Sequence, residues 1–296
     1  MMKNSRETLT KKGGKIMLSQ KNYNRSKYSF ANINFLDKCN LDCFFCLGKD
    51  LEEEFNKYST LKIHYKDLLN LDKYLALLKE NDIKQIYLTG QNTDPLLYEY
   101  LQEFIDYLQN NDFFVGIRTN GIKAIEKMTI LNKFNTCMGD AVGYSIISLH
   151  SDIHKKICGT SKIPDWSKIF EMTQVPYRVS VVINIYNQRE IEDIIQFVCN
   201  YKPQYIQLRR ISTDTRYELL KPDIEAYYAV KDRMLNRNIS TTEYEKAKVI
   251  KGVYPVDVVF WETVSTTANS MNYFTNGVIS TEYFIIEGYL KNVEKV

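Results

Sequence analysis

The chain has 296 residues, 44% apolar and 25% charged, with a formal net charge of +3. That length suits one large α/β domain or two smaller ones with a real core. No apolar run approaches a membrane span, and the first residues lack the apolar stretch of a secretory signal, so the chain reads as a cytoplasmic protein with reduced thiols and no membrane partner.

The charge is uneven. Residues 1–27 hold eight Lys/Arg against one Glu, a balance of +7 that leaves the remainder at about −4. A solvated basic arm over 1–27 is the plain reading; an arm that holds an acidic partner is the sharper one. The body itself is not basic, so the chain does not read as a nucleic-acid binder.

In chain order, "YSFANINFLDKC" (28–39) is β-like and runs straight into a cluster of cysteines. Residues 64–82 have helical apolar spacing, and 83–90 form a short strand ending in Gly90. Residues 95–111 open with Pro95, which suits a first helical turn. A strand over 113–121, a helix over 122–133, a strand over 143–150 and two short helical pieces to about 173 follow. Then come a strand over 177–187, a helix over 188–201 and a strand over 205–212. Six strands, each followed by a helical stretch, predict a parallel sheet with right-handed crossovers. The expected fold is α/β, a partial (β/α)6 TIM-like barrel, two units short of the closed form. Beyond it, a helix over 222–236, a strand over 253–264 and a hairpin over 271–290 turning at Asn276-Gly277 predict a C-terminal capping segment. The division is an arm over 1–27, a core over 28–215 and a helix and strand/hairpin cap over 216–296.

In such folds the working residues sit past the C-terminal ends of the strands. Cys39, Cys43 and Cys46, spaced C-x3-C-x2-C, follow the first strand; "TGQNTDP" follows the second, "TNG" the third and "HSD" the fourth. Three chemistries compete for the cysteines. Structural zinc needs four ligands, and His64, 18 residues past Cys46, is the nearest other candidate. Dithiol redox chemistry favours a lone C-x-x-C and leaves Cys39 unexplained. An iron–sulfur cubane normally takes four thiolates; with three, one iron stays open to a small molecule.

This motif, with an aromatic before its last Cys and placed after the first strand of a (β/α)6 pattern, resembles that of the radical S-adenosylmethionine (radical SAM) superfamily. The resemblance implies that Cys39, Cys43 and Cys46 hold one 4Fe–4S cluster and that Phe45 lies beside the adenine of S-adenosylmethionine. It implies reductive cleavage to a 5′-deoxyadenosyl radical that abstracts hydrogen from substrate, with electrons from a flavodoxin- or ferredoxin-type reductant. The family's Gly-Gly-Glu-Pro-like segment corresponds here to "TGQNTDP", which departs from it: Gly90 and Pro95 fit, while Thr93 or Asp94 is the expected acceptor for the methionine ammonium. A purely local reading makes Asp94 or Thr93 a helix cap. By the same resemblance Ser148 reaches the ribose and Asn184 the ribose or the methionine carboxylate. Arg209 and Arg210 sit on the sixth strand, where alternation lets only one point inward, toward an anionic substrate or that carboxylate. His150 is a further pocket candidate. Cys137, Cys158 and Cys199 are scattered, which predicts a single cluster.

The compact chain favours a small-molecule or nucleotide substrate that is rearranged, cyclised or dehydrated. The alternative within the family is modification of a ribosomal peptide, an epimer or a cross-link, held by β-addition to the C-terminal strands. From another class, a non-catalytic zinc- or cluster-binding protein would use the same cysteines.

Overall fold

The computed structural model describes residues 30–213, 215–236, 241–244, 247–262, 270–282 and 285–295. The basic arm expected over 1–27 lies outside the described residues. The six predicted strands form as β1 (Phe30–Leu36), β2 (Gln85–Gln91), β3 (Phe114–Thr119), β4 (Val142–Ser145), β5 (Tyr177–Val182) and β6 (Tyr205–Arg209). They pair in sequence order and every pair is parallel. Between and after them lie α1 (Glu52–Phe55), α2 (Leu71–Glu80), α3 (Leu101–Asn110), α4 (Met128–Leu131), α5 (Ser151–Cys158), α6 (Trp166–Met172), α7 (Ile191–Cys199) and α8 (Tyr217–Leu235).

The first three predicted helices are shorter than their apolar spacing suggested, whereas α8 starts at Tyr217, ahead of the expected 222. Residues 64–82 open with a 3-10 turn at Tyr65–Asp67, and α2 starts only after Asn70, whose φ of 61° breaks the helix. Pro95 opens a 3-10 turn rather than α3 itself, because Tyr98 is extended. Over 122–133 only α4 is α-helical.

The C-terminal stretch supplies strands to both ends of the core sheet. β9 (Asp257–Trp261) lies parallel to β6, and β10 (Ser270–Phe274) lies parallel to β1. β7 (Thr241–Tyr244) and β8 (Ala247–Ile250), which the sequence reading did not separate out, extend the β9 side antiparallel. β11 (Ile279–Ser280) returns against β10 through a turn in which Gly277 takes φ 98°. The second arm of the predicted hairpin is brief; α9 (Ile285–Leu290) takes over because Ile286 and Tyr289, three apart, bury together on one helical face. The described strands form one open eleven-stranded sheet, β11-β10-β1-β2-β3-β4-β5-β6-β9-β8-β7.

Strand alternation gives this sheet two different faces. Ala31, Ile33 and Phe35, with Ile86, Leu88, Val115, Ile117, Val179 and Leu208, join the helices in the main core. The opposite, inner face is polar. Asn34 Oδ1 accepts from Thr89 Oγ1 (2.7 Å) and Gln91 Nε2 (3.1 Å), and Asn32 donates to Asn272 at 2.9 Å. Buried Asp140 accepts from Arg118 (2.6 Å) and Arg178 (3.1 Å), and Arg178 also donates to Gln207 at 2.7 Å. Among the described residues no helix is long and apolar enough to cross a membrane.

Candidate functional site

The cysteine loop leaves β1 at Leu36, whose N–H donates to the hydroxyls of Thr60 (3.2 Å) and Thr275 (3.1 Å). The loop then turns on itself, with Cys46 N–H on the Cys43 carbonyl and Lys49 N–H on the Cys46 carbonyl, both at 3.0 Å. The last turn of α5 grips its far side: Asp42 N–H donates to the Cys158 carbonyl (3.0 Å) and Phe44 N–H to that of Ile157 (3.1 Å). On the near side it presses on the loop after β2. A Cβ on Gly48 would stand 2.4 Å from the Asn92 nitrogen, so only glycine permits this approach.

A third hold comes from the segment after β6. Arg216 donates Nη1–H to the Phe44 carbonyl (2.8 Å), Nη2–H to the Cys46 carbonyl (2.7 Å) and Nε–H to Asp50 (2.6 Å). The Asp50 side chain is fully buried and also accepts from Thr213 Oγ1 and from the Thr215 N–H.

All three thiols are partly buried, and Cys39 and Cys43 both feel the Cys46 thiol. Burial pushes Cys39 up to about 12, against the pull of the Leu41 N–H. Burial also raises Cys46, while the Gly48 and Asn92 N–H groups and the Arg216 and Lys49 charges oppose it. Cys43 is raised well above a normal thiol, first by its hydrogen bond with Cys158 and then by burial. The same bond and His154, with Nδ1 3.1 Å away, pull Cys158 down. Partly buried thiols of this kind give up their protons to a metal cation, which takes the protons' place.

Among the described residues no three His, Cys, Asp or Glu side chains converge on one metal ion. His64 packs instead against Tyr65 and Tyr100, 3.5 Å from Glu103. A cubane makes a different demand, since each thiolate binds its own iron. The donors fit that demand. Backbone N–H groups face Cys39 and Cys46, Asn120 Nδ2 lies 3.8 Å from Cys39 Sγ, and Asn40 Nδ2 is buried without a partner among the described residues. A cleft of about 540 Å³ opens here, lined by Cys39, Asn40, Asn92 and Cys158 among others.

The remaining predicted residues fall into separate groups. Gly90 is next to last in β2, where a Cβ would sit 2.0 Å from the Thr93 carbonyl oxygen. Thr93 donates to the Lys38 carbonyl at 3.3 Å. Asp94 is buried, and its carboxylate accepts from Thr119 Oγ1, from Asn120 N–H (2.7 Å) and from Leu96 N–H (2.9 Å). Burial raises its pKa while these donors hold it down. It therefore caps the Pro95 turn and ties β2 to β3, and Asn120 carries the tie on to Asn40 at 2.8 Å.

Ser148 is buried and exchanges hydrogen bonds with the His150 backbone. Nearby Glu190, raised by burial, accepts from the Leu149 N–H at 3.2 Å, and its Oε1 has no partner among the described residues. Asn184 Oδ1 accepts from the Tyr186 N–H at 3.0 Å, so its side chain shapes the loop after β5. Phe45 meets Phe44 edge-on at 5.5 Å, and Phe44 meets Tyr186 at 5.8 Å. Arg209 shares the inner face with Gln207 and pairs in register with Trp261. Arg210, past the strand end, has its buried Nε without a partner among the described residues.

Sequence reasoning missed Asp50, Arg216, Asn92, Glu190 and the His154–Cys158 pair. Arg216 lies 170 positions from Cys46, and no local pattern signals such a contact. The i, i+4 spacing of His154 and Cys158 was the one readable hint.

Comparison with known proteins bears on this geometry. A family model described as "Radical SAM superfamily" matches residues 33–198. A curated relative, GTP 3′,8-cyclase of Aquifex aeolicus (strain VF5), is 25% identical over 177 residues, which is 57% of this chain and 52% of the relative. The fold is similar to that of Streptococcus suis SuiB bound to precursor peptide SuiA, with TM-score 0.56 and 14% identity over 89% of this chain and 61% of that one. It is also similar to anSMEcpe with bound AdoMet and Cp18Cys peptide, with TM-score 0.52 and 14% identity over 88% and 76%. The chain thus spans about half the length of the curated relative, and the structural likeness is one of fold.

Proposed function

The chain belongs to the radical SAM superfamily and is an enzyme that uses a 4Fe–4S cluster and S-adenosylmethionine; on that premise we propose that Cys39, Cys43 and Cys46 hold the cluster and that the polar inner face of the sheet binds a small polar substrate, a nucleotide among the candidates. Held by Cys39, Cys43 and Cys46, the cluster would supply the one electron for reductive cleavage of the C–S bond of S-adenosylmethionine, with methionine as the leaving group and hydrogen abstraction from substrate as the chemistry gained. The chain's own residues bind, orient and exclude water.

The loop from Gly90 to Thr93 offers backbone carbonyls and a hydroxyl to the methionine ammonium, which needs acceptors. Asp94 serves the same end indirectly, because its oxygens are taken by Thr119, Asn120 and Leu96. Arg209 suits the methionine carboxylate or an anionic substrate. Ser148 and Asn184 shape the loops beside the ribose, and Phe45 packs against the adenine. Phe44, Phe45 and Tyr186 screen the reacting centre from solvent. The division into a basic arm, a core to residue 215 and a C-terminal cap, and the reductant of flavodoxin or ferredoxin type, belong to the same proposal.

The observation that carries the substrate class is the inner face itself, where Arg209 pairs in register with Trp261 and lies two positions along the strand from Gln207. A cation next to an aromatic ring suits a planar, anionic molecule, and the curated relative is named for GTP. A second reading, a peptide substrate, draws on β7, the last strand of an open sheet. An edge left unpaired among the described residues accepts an extended peptide by strand addition.

The test is anaerobic. Protein reconstituted with iron and sulfide is given dithionite and S-adenosylmethionine, and 5′-deoxyadenosine is measured by mass spectrometry, with Cys43→Ala as control. Formation of the nucleoside only with intact cysteines supports the ligand assignment. Retention of one zinc per chain and no nucleoside sinks it. Stimulation of cleavage by nucleoside triphosphates supports the first substrate reading; stimulation only by a short peptide replaces it with the second.

A further inference from the structure

The family match ends at residue 198, yet the cysteine loop is held from beyond it. Arg216 spends all three faces of its guanidinium on that loop. Two N–H groups bind the carbonyls of Phe44 and Cys46 at 2.8 and 2.7 Å, and the third meets Asp50 at 2.6 Å. Asp50 is fully buried and shares its oxygens with Thr213 and Thr215, so Thr213, Thr215 and Arg216 are all fastened to the loop. A planar fork of this kind is rigid and stays charged at any working pH.

The two carbonyls that Arg216 takes flank the last cysteine of the motif. Bonding both fixes the backbone on either side of Cys46 and puts a positive charge next to that residue. Asp50 bonds the guanidinium through Nε, while Nη1 and Nη2 bond the carbonyls of Phe44 and Cys46. The group bonded to Cys46 is a cationic N–H donor, and its counter-ion Asp50 is joined through a different nitrogen.

We propose that Arg216 is a positioning residue for the cluster: it orients Cys46 and, by its charge, raises the cluster's reduction potential, with Asp50 opposing it. The inference rests on the assignment of Cys39, Cys43 and Cys46 as ligands. Adding an electron makes the cluster more negative, so a nearby cation favours the reduced state and a nearby anion disfavours it. The segment that carries Arg216 follows β6 and leads into α8, so a change in that segment reaches the electron-accepting centre directly.

The experiment is a potentiometric titration of the reconstituted cluster, followed by electron paramagnetic resonance, on wild type, Arg216→Gln, Arg216→Lys and Asp50→Asn, with iron and sulfide counted for each. The expected midpoint falls in Arg216→Gln, returns toward wild type in Arg216→Lys, and rises in Asp50→Asn. Opposite signs are decisive, because a merely structural clamp would move Arg216→Gln and Asp50→Asn the same way. Midpoints that stay put, or that shift in one direction for both, overturn the proposal. If Arg216→Gln fails to hold a cluster, Asp50→Asn decides alone: an upward shift supports the proposal and any other result overturns it. Cys46→Ala separates the two claims. Full iron in that variant overturns the ligand assignment, whereas lost iron with unshifted midpoints in the others overturns only the role of Arg216.

Discussion

Single residues in the loop after β2 show how the same atoms serve fold and site. Gly90 is there because its backbone runs against that of Thr93; a Cβ would stand 2.0 Å from one backbone oxygen and 2.5 Å from its carbon. Neither neighbour is a flexible side-chain end, so the loop itself must move. Gly90→Ala is expected to cost about 1–3 kcal/mol, read as a lower unfolding midpoint of the cluster-free protein, and to reduce S-adenosylmethionine binding in equilibrium dialysis. Unchanged binding would mean the loop does not touch the ligand. Asp94 illustrates the opposite lesson. From the sequence it was a candidate acceptor for an ammonium or a helix cap, and its buried oxygens are filled by a cap and two strand-end donors.

The cysteine loop is a surface element made rigid by neighbours from distant parts of the chain. α5 pairs with its backbone, Arg216 holds its carbonyls, and α9 lies under the turn that follows it. There Leu36, Phe55, Phe274, Val278, Ile286 and Tyr289 form a small separate core, with Leu47 and Leu51 packed against it. Phe55 is fully buried and meets Tyr289 edge-on at 5.0 Å. Phe55→Ala is expected to cost about 3–5 kcal/mol. The loss falls on the turn that carries the loop, so iron retained after reconstitution should drop along with the unfolding midpoint. A variant that loses stability but keeps full iron would show that the loop does not depend on this small core.

Across the molecule, an open sheet with one apolar and one polar face leaves buried charge that needs internal partners. Asp140 bridges Arg118 and Arg178, and thus β3 and β5, while Arg178 reaches β6 through Gln207. Arg118 lies 3.8 Å over the Tyr87 ring, and Gly143 is required beneath it, since a Cβ there would stand 2.6 Å from its Cδ. Removing the shared carboxylate strands two guanidinium groups. Asp140→Ala is expected to cost about 3–5 kcal/mol, visible as a large drop in the denaturant midpoint. A drop within about 0.5 kcal/mol, the range of an ordinary surface change, would show that water or other groups compensate the two arginines.

Much of this was written locally. The six strands, their parallel order and the position of Cys39, Cys43 and Cys46 past β1 follow from apolar periodicity, turn residues and close cysteine spacing, all of which act over a few positions. Helix starts were less legible, because Asn70 and Tyr98 break the helical path by backbone choices that apolar spacing does not encode. Only the folded chain brought Arg216 to Cys46, α9 to Phe55 and β10 to β1, since contacts between positions some 170 to 240 apart depend on which surfaces pack, not on any repeat along the chain. Nor could the sequence decide that Asp94 spends its carboxylate on Thr119 and Asn120. A side chain's free valences are set by the donors that surround it, and those arrive only with the tertiary structure.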